Sequence, residues 1–175
     1  MKYLKIVLII FILFSSYSFN KNKPKLISEN TQFENNLIPD DFYFIINSGG
    51  NDSYDSKTSS FNRKYIDNEK TVKIELTNEE KQRIFSFMNE VRFLKMPNKF
   101  EPKEEIILIS NPGFYKSIVI YFNAKQKVVS YNTGYSSEKN KKRAKKFFCF
   151  YEMIWSILKN KEELINLPES DLHYK

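Results

Sequence analysis

Residues 71–97 read TVKIELTNEEKQRIFSFMNEVRFLKMP, and the change of period inside this stretch decides the fold class. Val72, Ile74 and Leu76 alternate with Thr71, Lys73 and Glu75, the period-two pattern of a strand with one buried face. Thr77-Asn78-Glu79-Glu80 follows without a linker and has the spacing of a capping box. The Thr77 hydroxyl can accept the backbone N–H three residues on, while Glu80 reaches back to the N–H of Thr77. Ile84, Phe87, Met88 and Val91 then fall at i, i+3, i+4 and i+7, one apolar stripe of a helix that Pro97 stops. A strand runs directly into a helix, and the class is α+β.

Working toward the N-terminus, residues 61–66 form a weaker strand pattern, and residues 48–60 are a polar loop carrying Gly49-Gly50. Phe42, Phe44 and Ile46 alternate with Tyr43 and Ile45, a strand apolar on both faces and so central in a sheet. Toward the C-terminus, residues 106–109 are a short apolar run and Asn111-Pro112-Gly113 a turn. Residues 114–122 make a long strand, joined by a turn over 123–126 to a strand over 127–132. A second helix is expected over residues 137–160, with Ala144, Phe147, Phe148, Tyr151, Ile154, Trp155 and Leu158 on its buried stripe. The resulting βββαβββα order predicts an antiparallel sheet of about six strands with two helices packed on one face, a structural duplication in outline. Phe150, Met153 and Ile157 form a second apolar strip on the last helix, to be covered by the tail, the tether or another protein.

The chain has 175 residues, 41% hydrophobic and 28% charged, enough for one packed domain. Lys, Asn, Ile, Phe and Tyr supply half of it, the signature of an A/T-rich coding sequence. One Cys and one His exclude a Cys/His zinc cluster and a disulfide framework within the chain. No Gly-rich phosphate loop, nucleophile elbow or metal-ligand helix occurs, and neither a metal nor a cofactor is expected.

Residues 1–18 have the layout of an export signal. Lys2 and Lys5 precede nine unbroken apolar residues, Ile6 to Phe14, and Ser16 and Ser18 are small residues at the positions a signal peptidase reads. The run is shorter than the ~20 residues a membrane span needs. No Cys follows it, so the expected product is secreted or periplasmic and not lipid-anchored. Residues 19–40 read as a flexible tether and 41–175 as a single domain. The lone Cys149 lies among Phe147, Phe148, Phe150 and Tyr151, where a buried and unreactive thiol is expected.

The course Gly49-Gly50, Asp55, Phe61, Tyr65, Leu76-Thr77, Glu79-Glu80, Ile84, Met88, Val91, Phe93-Leu94, Pro97, closing on Leu167-Pro168 and Tyr174, resembles a family of uncharacterised bacterial secreted proteins and lipoproteins. The resemblance covers most of the chain from Asp41 onward. It implies export and fold, and it implies no site.

Two surfaces stand out as binding candidates. On the strand over 114–122, Ile118, Ile120 and Phe122 face the core, which leaves Tyr115, Val119 and Tyr121 on the opposite sheet face, where tyrosines can serve a peptide or sugar. Lys139, Lys141, Lys142, Arg143, Lys145 and Lys146 crowd the start of the second helix against its macrodipole. Lys141, Lys142, Arg143, Lys145 and Lys146 are the polyanion-contact candidates, although they scatter around the helix without interleaved aromatic residues, which argues against nucleic acid. Asp52 and Asp55 lack the ladder of a calcium loop. His173 stands third from the end, and the neighbouring pairs Asp40-Asp41 and Glu104-Glu105 point to opposite strand faces. These observations predict an exported, non-enzymatic binding or accessory domain of the bacterial cell envelope. Its partner is an envelope protein or glycan, and the membrane is met only through the transient signal. The alternative is a hydrolase acting on a cell-envelope polymer through carboxylates from different strands.

Overall fold

A computed structural model describes residues 38–103, 108–109 and 114–172. The segments expected to be signal peptide and most of the tether, the run at 106–107, the Asn111-Pro112-Gly113 turn and His173 lie outside the described residues. The class is α+β. The strands are β1 (Tyr43–Ser48), β2 (Asp52–Asp55), β3 (Ser60–Lys64), β4 (Glu69–Lys73), β5 (Lys99–Phe100), β6 (Leu108–Ile109), β7 (Tyr115–Phe122), β8 (Lys125–Asn132) and β9 (Tyr135–Ser136). The helices are α1 (Asn78–Glu90), α2 (Glu138–Arg143), α3 (Lys145–Lys159) and α4 (Glu162–Ile165).

Seven strands form one sheet in the order β4-β3-β2-β1-β7-β8-β5, antiparallel except where β5 pairs with β8, and β6 and β9 make a separate ladder. The first four strands form a continuous meander, so the predicted three-strand repeat and its duplication are corrected. The main correction is at residues 48–60, which hold the strand β2 between two turns rather than a loop. Gly49 and Gly50 take positive φ (62° and 97°) and turn the chain so that Asp52 meets Ser48 and Ser53 meets Asn47. The strand expected over 71–76 also begins and ends earlier, at Glu69 and Lys73.

The capping box forms as the sequence requires. Thr77 N donates to Glu80 Oε2 at 2.7 Å and Glu80 N donates to Thr77 Oγ1 at 3.2 Å. The helix stops at Glu90, well before Pro97, because Arg92 enters the left-handed region (φ 57°) and a 3-10 turn follows over Phe93–Lys95. The second helix is broken in two at Ala144 (φ −83°, ψ 2°).

Both long helices pack on the same sheet face. Phe85 of α1 meets Phe42 edge-on at 5.0 Å, Trp155 of α3 meets Phe61 at 6.3 Å, and Phe148 meets Tyr131 at 4.8 Å. Phe44, Ile46, Tyr54, Phe61, Ile118, Ile120 and Val129 project from the sheet into this single core. Ile38 also packs against it, so ordered packing reaches into the segment read as tether.

In the second apolar strip of α3, Phe150 and Ile157 are buried and Met153 is partly buried, and Phe150 is covered by α1 and the 3-10 turn. Phe150 lies 6.2 Å from Phe87 and 5.3 Å from Phe93. Cys149 is exposed, contrary to expectation. At about 100° per residue it lies about 200° from Phe147, diametrically opposite the buried stripe, which α1 widens on the Phe150 side only. Among the described residues no helix is long and apolar enough to cross a membrane.

Candidate functional site

Since side chains alternate along a strand, the sheet face away from the helices is fixed by register. It carries Tyr43, Ile45 and Asn47 of β1 opposite Tyr121, Val119 and Ser117 of β7. Continuing outward, Asn47 faces Ser53, Ser53 faces Asn62, and Asn62 faces Thr71, while on the other side Ser117 faces Ser130. A row of hydroxyl and amide side chains, Ser130-Ser117-Asn47-Ser53-Asn62-Thr71, therefore crosses six adjacent strands at right angles to the chain. At a spacing of about 4.8 Å per strand the row is about 24 Å long, and its β8 end, Ser130, is buried with its hydroxyl donating to the Asn98 carbonyl at 3.3 Å.

The row is cross-linked at two points. Asn47 Nδ2 donates to Ser117 Oγ at 3.0 Å, and Thr71 Oγ1 donates to Asn62 Oδ1 at 2.6 Å. Between them lies a polar concavity of about 120 Å³ walled by Asn47, Asn51, Ser53 and Asn62, with Lys64 and Glu69 at its rim. Asn51 Oδ1 is closed off from solvent without a hydrogen-bond partner, in contrast to the usual satisfaction of buried polar atoms. The Tyr151 hydroxyl of α3 donates to the carbonyl of Asn47 at 3.1 Å, which ties the middle of the row to the core. Burial pushes the Tyr151 phenol up to about 12, so this donor keeps its proton throughout the physiological range.

The three sheet-face candidates from the sequence fall on this face and flank the row. Tyr115 is 52% exposed at one border. Val119, half-buried, pairs with Ile45 and Val128 on the other side. Tyr121 stacks on Tyr43 with ring centroids 4.3 Å apart and 10° between planes, its hydroxyl accepting from Gln126 Nε2 at 2.8 Å. Lys57 Nζ covers Tyr43 at 5.0 Å. The Tyr43–Tyr121 rings stack on each other, separated from the row by the Ile45–Val119 pair, whereas Tyr115 is open. Asn47, Ser53, Asn62 and Ser117 were absent from the sequence-based candidates. Their signal was Gly49-Gly50 followed by alternating residues, a hairpin mark that places Ser53 opposite Asn47 once β2 is recognised.

The basic cluster is divided among several tasks. Arg143 NH1 donates to the Glu101 carbonyl at 3.0 Å, and Lys141 pairs with Glu138 at 3.1 Å. Lys141, Lys142 and Lys145 border a shallow groove with Phe148, Cys149 and Glu152, and Lys146 is exposed.

Several carboxylates have structural partners. Asp41 accepts the N–H groups of Asn123 (2.8 Å) and Ala124 (2.7 Å), and those two bonds hold its pKa below the ordinary carboxylate value. Asp52 grips Arg63 with both oxygens, at 2.9 Å to Nε and 2.8 Å to NH2, on the helix-side face. Arg63 NH1 then donates to the Pro168 carbonyl at 2.9 Å, pinning the C-terminal segment to β3. A second cavity, about 330 Å³, lies beneath that segment between Arg63, Trp155, Lys159, Leu164 and Glu169. Among the described residues no three His, Cys, Asp or Glu side chains gather where they could hold a metal ion.

Comparison with protein-family models, with curated proteins and with solved structures finds no match to this chain.

Proposed function

We propose that this chain is an exported, non-enzymatic binding module of the bacterial cell envelope, secreted or periplasmic, that engages its ligand through the sheet face opposite the helices. The observation that carries this reading is the transverse row of hydroxyl and amide groups with its polar concavity and flanking tyrosines. Rigid strands hold these groups at fixed spacing, so little ordering entropy is lost when a ligand binds. Export is supported by the charged start and short apolar run of residues 1–18 and by the resemblance to secreted proteins. The binding reading is favoured over a carboxylate hydrolase by the employment of Asp41 and Asp52 in turn and ion-pair roles.

Co-sedimentation with purified, insoluble cell-wall polymer tests the reading. The native protein should pellet with the polymer, Tyr115→Ala and Asn62→Ala should remain in the supernatant, and Lys142→Ala should behave as native. Equal pelleting of all four would remove the sheet face as the binding surface.

A further inference from the structure

Resting on the sheet-face reading above, we infer that the ligand is an extended, uncharged glycan bearing N-acetyl groups, laid across the strands with one acetamido group seated in the Asn47–Asn51–Asn62 concavity. Volume, hydrogen-bonding capacity, charge and spacing each bear on this assignment.

A concavity of about 120 Å³ is several times what one water needs, which leaves room for a small polar substituent such as an acetamido group. Its N–H and C=O need one acceptor and one donor, and an asparagine amide offers both. The bonds formed within the row leave such capacity open: Asn47 uses its Nδ2 toward Ser117, and Asn62 uses its Oδ1 toward Thr71. Asn47 Oδ1 and Asn62 Nδ2 therefore remain as an acceptor and a donor on opposite walls. Asn51, another residue of the lining, has a buried Oδ1 with no hydrogen-bond partner.

The charge pattern is also selective. The six residues of the row are uncharged, Lys64 and Glu69 of the lining face each other in register with opposite signs, and Asp52, also in the lining, has its carboxylate neutralised by Arg63. A polyanion or polycation gains nothing here. From β7 to β4 the row offers one hydrogen-bonding side chain per strand step of about 4.8 Å, whereas an extended peptide advances only ~3.3 Å per residue and falls out of phase with it. A pyranose chain, whose rings repeat at close to the strand spacing and carry hydroxyls that both donate and accept, stays in phase with the row. Tyr115 at the open border provides an apolar surface for one ring.

Calorimetric titration of the full protein against four soluble probes tests this: a tetramer of N-acetylglucosamine, its N-deacetylated form, a glucose tetramer and an uncharged tetrapeptide. The acetylated tetramer should bind about tenfold or more tighter than each of the others, the effect of losing one well-placed polar contact. Asn62→Ala should remove about tenfold from the acetylated probe alone. Ser53→Leu, which fills the concavity without deleting a hydrogen bond of the row, should do the same with an unchanged unfolding midpoint. Equal affinity for the glucose and acetylated tetramers, with both lost on Tyr115→Ala, would overturn the acetamido assignment and leave the sheet-face reading standing. Binding of the peptide alone through the same residues would overturn the glycan assignment in the same way. Binding of no probe, or binding indifferent to all these variants, would overturn the inference, and failure of the polymer to sediment the protein would then extend that to the sheet-face reading itself.

Discussion

Asn47 and Ser117 are joined across β1 and β7 by a 3.0 Å hydrogen bond on the sheet face that the helices leave uncovered. The same Asn47 accepts, at its main-chain carbonyl, the hydroxyl of Tyr151 from the helix layer. A residue of the polar row is thereby locked to the core, and the row inherits the rigidity of the α3–sheet packing. Perturbations of the core and of the open sheet face should consequently be separable only at positions that leave Tyr151 and Asn47 in place.

The Asp52–Arg63 pair joins β2 to β3 and, through Pro168, to the C-terminal segment. Its side chains are 20% and 12% exposed, so the pair is sheltered without being fully desolvated. Arg63→Ala should cost about 2–3 kcal/mol, below the 3–5 kcal/mol for breaking a fully buried pair. Arg63→Lys should recover only part, since an ammonium cannot grip both oxygens of Asp52 and also reach Pro168. Urea unfolding midpoints measure both, and a change within about 0.5 kcal/mol for Arg63→Ala would place the pair among inert surface bridges.

The β7–β8 turn places Asn123 and Ala124 at positive φ (48° and 54°), with both N–H groups held by Asp41. A left-handed Ala is strained by ~1–2 kcal/mol, and Gly relieves that strain at an entropic cost of ~0.5–1 kcal/mol. Ala124→Gly should therefore stabilise the protein by about 0.5–1 kcal/mol. Because the Asp41 pKa is lowered on folding, its contribution is fully present above the ordinary carboxylate pKa of ~3.9 and is lost as pH falls through the folded value. Asp41→Asn should lower stability at neutral pH and flatten its fall below about pH 4. Thermal melts at pH 7 and pH 3 decide this, and an identical loss on acidification in both proteins would contradict it.

Trp155 is buried on α3 against Phe61 and Tyr151. Trp155→Ala should cost about 3–5 kcal/mol, a large part of the ~5–15 kcal/mol available to a domain. Lys142→Ala, on the exposed side, should change stability by no more than about 0.5 kcal/mol. The native indole should emit at short wavelength and resist quenching by iodide; a red-shifted, readily quenched emission would contradict the packing.

These elements also show what sequence made legible. The Thr77–Glu80 box, the Ile84–Met88 stripe and the core positions Phe44, Ile46, Ile118 and Ile120 are local patterns, and local patterns survive folding. β2 was hidden because Asp52-Ser53-Tyr54-Asp55 offers one apolar side chain, Tyr54, whose burial is arranged by Phe44 and by a bond from its hydroxyl to the Ile74 carbonyl. Without β2 the register linking Asn47, Ser53 and Asn62 does not exist in sequence, so only the β7 part of the site was visible. Cys149 neighbours aromatic residues in sequence, but its angle on the helix carries it to the exposed side.

Cys149 accordingly should react with an aqueous thiol reagent in the native state. Complete labelling without denaturant, at a rate unchanged by conditions that slow global unfolding, is the expected result. Protection lifted only by denaturant would return Cys149 to the core.

The most direct measurement of the central claim is amide chemical-shift mapping of the protein against a soluble digest of cell-wall glycan. The shifts should concentrate at Asn47, Ser53, Asn62, Thr71, Tyr115 and Ser117, tracing the row across the sheet. Shifts confined to the Lys141–Lys146 region of the helix layer, or no shifts at all, would contradict it.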